Sequence, residues 1–244
     1  MVMTSKPRWM VRAAALLCAL AGSVSVAIGA GTDGATWAQV AHWPDLTGGI
    51  WGGPGAGGPD QSFRVASVPL KPKYKAVAVR FQPSASRSCV PDGIPTDVGG
   101  EFFYSKGTIF LMSDLDWFVV RQIHMTRSSH GDPDPTYYGD SIGHWDGDTL
   151  VVDTVGFLPS VVVVPGVPGQ GATHIIERFQ LTGPDTMRYT RTVINPKVLT
   201  RPWVFSRTLP LHRDWQVEET YCSQNNRDAP VNGKAHIDLI PPKP

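Results

Sequence analysis

From residue 100 onward the chain is a succession of short apolar runs with alternating character, cut apart by turn residues. This pattern limits the available folds more than any other feature. Residues 102–104 and 108–112 flank Ser105-Lys106-Gly107. Residues 140–145 and 148–157 flank Asp146-Gly147, and residues 173–181 and 186–193 flank Thr182-Gly183-Pro184-Asp185. Each arrangement is a hairpin signal. Residues 117–124, 204–209 and 215–222 supply further strands, so eight to ten closely spaced strands are expected. No helical period of useful length lies between them, so parallel crossovers are excluded on this reading. Gly (25) and Pro (22) are abundant for 244 residues and favour turns over long helices. The reading is an all-β, antiparallel, barrel-like sheet of lipocalin type, with a two-sheet sandwich as the other option. A barrel of about eight strands can hold one small ligand. It would form a single domain with an irregular N-terminal arm. The segments are a signal peptide at 1–30, a Gly/Pro-rich arm and loops at 31–100, the barrel at 101–228 and a tail at 229–244.

The first thirty residues read as an export signal. Lys6, Arg8 and Arg12 precede an uncharged apolar stretch that ends in small residues around Ala27 and Ala30. The other reading, a retained anchor, needs about 20 strongly apolar residues, and this stretch is shorter and rich in Ala, Gly and Ser. A periplasmic or secreted protein with no membrane span after cleavage is therefore expected. Cleavage removes three of the 22 basic residues and none of the 21 acidic ones, taking the net charge from +1 to −2. Such a chain has no basic field for nucleic acid. Two cysteines remain, Cys89 and Cys222. In an oxidising compartment they are expected to pair, the alternative being two buried free thiols.

The hairpin around Asp146-Gly147 holds the most informative residues. With Asp146 and Gly147 as the two central turn residues, Asp140 falls opposite Asp153 on one face, with His144 on the same side. Two carboxylates so close need water, a cation or a shared proton between them. His130, His174 and Arg191 are candidate partners. Three readings are open. One carboxylate performs acid–base work in a cavity. The pair binds a divalent metal together with His130, His144 or His174. Or the pair is solvated at a rim, since a slip in register undoes the pairing. No metal-type spacing, nucleophile elbow, phosphate loop or dinucleotide fingerprint is present, so neither metal nor cofactor is expected. Tyr138 is a candidate lid residue, Trp117 and Trp145 are candidate aromatic lining, and Arg191 or Arg178 could hold a substrate carboxylate or oxyanion.

Several stretches resemble a large group of exported, mostly uncharacterised bacterial β-rich proteins. They are Pro44-Asp45-Leu46-Thr47-Gly48-Gly49-Ile50-Trp51, Cys89-Val90-Pro91-Asp92-Gly93-Ile94-Pro95, the segment 140–157, Ile176-Glu177-Arg178-Phe179 and Glu219-Thr220-Tyr221-Cys222. The resemblance covers about residues 44–228. It implies that Cys89 and Cys222 pair and that the 140–157 hairpin matters. The group's pattern has His at position 140 and Arg at 144, where this chain has Asp140 and His144, implying a changed acid–base pair. The expected function is a cofactor-independent lyase or isomerase of the cell envelope acting on a small aromatic or apolar compound, lignin-type phenolics included. In that reading Asp140, Asp153, His144, His130 and His174 carry the chemistry. The alternative is a non-catalytic lipocalin-like carrier of a small apolar ligand.

Overall fold

The computed structural model describes residues 35–52, 67–80, 99–113, 119–164 and 166–217. Residues 1–30, Cys89, Trp117, Cys222 and the tail at 229–244 lie outside the described residues. A capped single turn, α1 (Trp37–Val40), leads into β1 (Ile50–Gly52). Helix α2 (Pro72–Arg80) follows. The sheet then builds from β2 (Gly99–Ser105), β3 (Thr108–Ser113), β4 (Val119–His124), β5 (Asp140–Asp146) and β6 (Thr149–Val155). A small ribbon, β7 (Val162–Val164) with β8 (Val167–Pro168), precedes the long strands β9 (His174–Gly183), β10 (Thr186–Ile194) and β11 (Trp203–His212).

Nine of these strands close into a barrel in the order β1-β11-β10-β9-β6-β5-β4-β3-β2, with β1 paired to β2. The all-β barrel expected from the alternating runs is thus what forms. Side chains alternate in and out, so Ile109, Ile123, Leu150, Val152, Phe179, Met187 and Tyr189 face the interior and form one apolar cluster. A second apolar cluster, with Val68, Leu70, Ala78, Phe157, Val164, Val193 and Trp203, packs the other part of the core. The arm at 44–52 is part of this packing. Leu46 and Trp51 are buried, Trp51 Nε1 donates to the Leu46 carbonyl (2.7 Å), and Tyr104 Oη donates to the Pro44 carbonyl (2.6 Å).

Four expectations need correction. The arm is not only loop, because Ile50–Gly52 is the strand that closes the barrel between β2 and β11. Residues 215–217 are not strand; Trp215 instead stacks on His212, with centroids 3.7 Å apart. The sheet is not wholly antiparallel, since β4 and β5 run parallel, with Ile123 beside Ser141. Their connection, residues 125–139, is long enough for a crossover without any helix. Finally, the turn at the β5–β6 hairpin is Gly147-Asp148, not Asp146-Gly147. Asp146 pairs with Thr149 and Ile142 with Asp153, and Asp140 lies opposite Val155. Gly147 has φ +57° and Asp148 does not have a positive φ, which suits a type II′ turn with Gly first. The shift moves the pairing by two residues, so the face each side chain occupies is kept.

Candidate functional site

Asp140 and Asp153 share the outer face of the wall, not the interior. The inward positions on β5 and β6 are Ser141, Gly143, Leu150, Val152 and Thr154, all buried. The two carboxylates are diagonal neighbours in the register, too far apart to touch directly but within reach of one bridging group. That bridge is His130, carried over the outer wall by the connection 125–139. Its Nδ1 is 2.7 Å from Asp140 Oδ2, and its Nε2 is 2.9 Å from Asp153 Oδ1.

The network extends at both ends. Arg127 Nη1 and Nη2 donate to the two oxygens of Asp140 at 2.8 and 2.9 Å, a bidentate pair. At the other end His174, the first residue of β9, places Nε2 2.8 Å from Asp153 Oδ2. The result is one chain: Arg127, Asp140, His130, Asp153, His174. It is graded in exposure, with His130 and Asp140 at 15% and 16% and Asp153 and His174 at 33% and 34%. Burial pushes the Asp140 carboxyl up, but Arg127 and His130 outweigh it and hold the group below the usual carboxylate range. A carboxylate only accepts hydrogen bonds. With both acids ionised, satisfying His130 therefore takes a proton on each ring nitrogen. His174 needs only one such proton, on Nε2, and no described group engages its Nδ1.

The other expected residues lie elsewhere. His144 is on the same outer face but exposed, opposite Val151, and has no place in the chain. Arg178 is also outside and pairs with Asp146 at 2.7 Å, bracing the hairpin tip. Trp145 points inward against the first core cluster, 6.3 Å from Trp43. Its indole Nε1 is buried without a hydrogen-bond partner among the described residues. Tyr138 is half-buried in the crossover connection, two residues before Asp140. Arg191 is inside the barrel and cannot serve Asp140 or Asp153. Among the described residues, no aromatic cup surrounds the two acids.

Arg191 belongs to a buried polar layer that the alternation pattern could have disclosed. Arg121, Glu177 and Arg191 each occupy an inward position between apolar inward residues. They are 6%, 1% and 3% exposed. Arg121 Nη2 lies 2.5 Å from Glu177 Oε2 as an ion pair outside hydrogen-bond alignment, and it donates to Thr154 Oγ1 at 2.7 Å. Arg121 Nε donates to Ser141 Oγ at 3.0 Å. Tyr189 Oη donates to Glu177 Oε1 at 2.6 Å and accepts from Arg191 Nε. Burial drives the Glu177 carboxyl up, yet the charges of Arg121 and Arg191 prevail and hold it down. Burial raises the Tyr189 phenol well above its ordinary value, so it stays protonated.

A surface cleft of about 310 Å³ is lined by Lys71, Ile194, Asn195, Leu199, Arg201 and Pro202 among others, and by none of the outer chain's residues. Ile194 is the register partner of His174, so the cleft begins one strand away from the end of the chain. Among the described residues no three His, Cys, Asp or Glu side chains are grouped so as to hold a metal ion, and no helix is long and apolar enough to cross a membrane. No protein-family model, curated protein or solved structure matches the chain.

Proposed function

We propose that this chain is an exported, cofactor-independent acid–base enzyme, a lyase or isomerase, with His174 as its proton-transfer group. The observation that carries the reading is the alternation of carboxylate and imidazole from Asp140 to His174, ending on a partly exposed ring whose Nδ1 no described residue engages. Asp153 accepts from Nε2–H, fixes the tautomer and stabilises the imidazolium that forms when Nδ1 takes a proton. His130, Asp140 and Arg127 act through Asp153 as positioning residues. The cleft at Ile194 presents Lys71 and Arg201, which favours a small compound with an anionic group. In isomerisation the imidazole takes a proton from one carbon and returns it to another; in elimination it takes the proton as the leaving group departs with its bonding pair; in decarboxylation the imidazolium supplies the proton that replaces CO2. Export with loss of residues 1–30 and a Cys89–Cys222 disulfide in the mature protein belong to the same proposal.

The test is proton exchange. The mature protein is incubated in D2O with a panel of small carboxylates, and deuterium incorporation or product is followed by NMR. Turnover of one member is expected, falling about 100-fold or more in His174→Gln and Asp153→Asn. Equal turnover in wild type and both variants would refute the assignment.

A further inference from the structure

We infer that the interior of the barrel holds a second site, separate from the outer chain: an anion site in which Arg121 and Arg191 receive the carboxylate of a small apolar acid. The inference does not rest on the acid–base reading.

The charge count in the buried layer is uneven. Two guanidiniums face one carboxylate, and the only other ionisable group among them, the Tyr189 phenol, stays neutral. All four side chains are more than nine-tenths buried. Buried charges normally come paired, because water no longer compensates them. One positive charge therefore has no ionic counterpart among the described residues. Ser141 and Thr154 accept from Arg121 but bring no charge.

The excess sits on Arg191. Among the described residues its hydrogen bonds are two, from Nε to Tyr189 and from Nη2 to Glu177 at 3.3 Å. A guanidinium has five N–H donors, so three remain. They include both on Nη1, and the Nη1–Nη2 edge is the one a carboxylate engages with two parallel bonds. The rings of Tyr189 and Phe205 stand 5.4 and 5.5 Å from the guanidinium carbon. They attract the cation without accepting its N–H bonds. These neighbours also set the class of ligand. Phe205 packs on Trp203, with centroids 4.8 Å apart, and touches both apolar clusters. An anion placed at Arg191 therefore has aromatic surface beside it, which favours an apolar monocarboxylate over a bare inorganic ion.

The experiment uses the full mature chain and benzoate as the probe, with neutral benzamide and with chloride at equal ionic strength as controls. Thermal unfolding is followed as each is titrated. A saturable rise in Tm with benzoate alone, lost in Arg191→Met, is the expected result. That variant retains the balanced Arg121–Glu177 pair. A rise of equal size with benzamide or chloride, or one that persists in Arg191→Met, overturns the proposal. Should Arg191→Met fail to fold, 19F NMR of 4-fluorobenzoate with the wild-type chain decides. One saturable bound population that persists in Arg201→Gln, a change in the outer cleft, supports the site; none, or one lost in that variant, overturns it.

Discussion

His130 shows how one side chain can make an otherwise unfavourable pair of acids compatible. Placed between Asp140 and Asp153, it replaces like-charge repulsion with two hydrogen bonds. The sequence marked both acids and the histidines 130 and 174, because types that ionise stood out in a β-rich stretch. It did not mark Arg127, which looked like one more polar loop residue until the connection was seen to lie on the outer wall. Asp140 has consequences for pH. Its folded pKa lies below its unfolded value, so its contribution to stability is present above the ordinary carboxylate range near pH ~4 and is lost as pH falls below it. Acid-induced unfolding followed by circular dichroism should therefore be less steep in Asp140→Asn. Inside the barrel, Glu177→Gln leaves two buried guanidiniums without their carboxylate. A loss of about 3–5 kcal/mol is expected in urea denaturation, and less in Arg191→Met, where one balanced pair survives.

The β5–β6 hairpin sets both faces of the site at once. Because side chains alternate, Asp140 and Asp153 outside stand next to Ser141 and Thr154 inside. A single register thus serves the outer chain and the inner polar layer. Sequence reasoning found the hairpin and that the two acids share a face, but placed the turn one residue early and put the acids directly opposite each other. The two turn positions differ only in which glycine conformation the chain adopts, and both Asp-Gly and Gly-Asp are good turn pairs. Reading the outer face as a cavity face was the larger error. Period-two alternation separates two faces and does not say which is inside until the neighbouring strands are placed. Gly139, the residue immediately before β5, has φ +69°, and a Cβ there would meet the Val155 carbonyl oxygen at 2.5 Å. Gly139→Ala should cost about 1–3 kcal/mol and weaken any activity that depends on Asp140, measured by denaturation and turnover together.

At the scale of the whole molecule, the barrel is closed and its N-terminal arm completes it. Expecting strands, short turns and closure was sound, since each follows from local pattern. The parallel seam at β4–β5 and the closing strand β1 were not legible, because each depends on contacts between segments distant in sequence. Leu46 is fully buried, and its backbone is tied to Tyr104. Leu46→Ala should therefore cost about 2–5 kcal/mol by chemical denaturation. If residues 1–30 are removed on export and Cys89 and Cys222 pair, as proposed, thiol titration of the secreted form under denaturing conditions finds no free cysteine. The claim on which the account turns is that an imidazole joins two acids on the outside of this barrel, and NMR of the intact mature chain labelled with 15N-histidine tests it most directly. The account predicts exchange-protected, downfield Nε2–H signals for His130 and His174, both weakened or lost in Asp153→Asn, while the Nδ1–H signal of His130 toward Asp140 remains. Histidine rings whose N–H protons exchange freely with water, unchanged by that substitution, would contradict it.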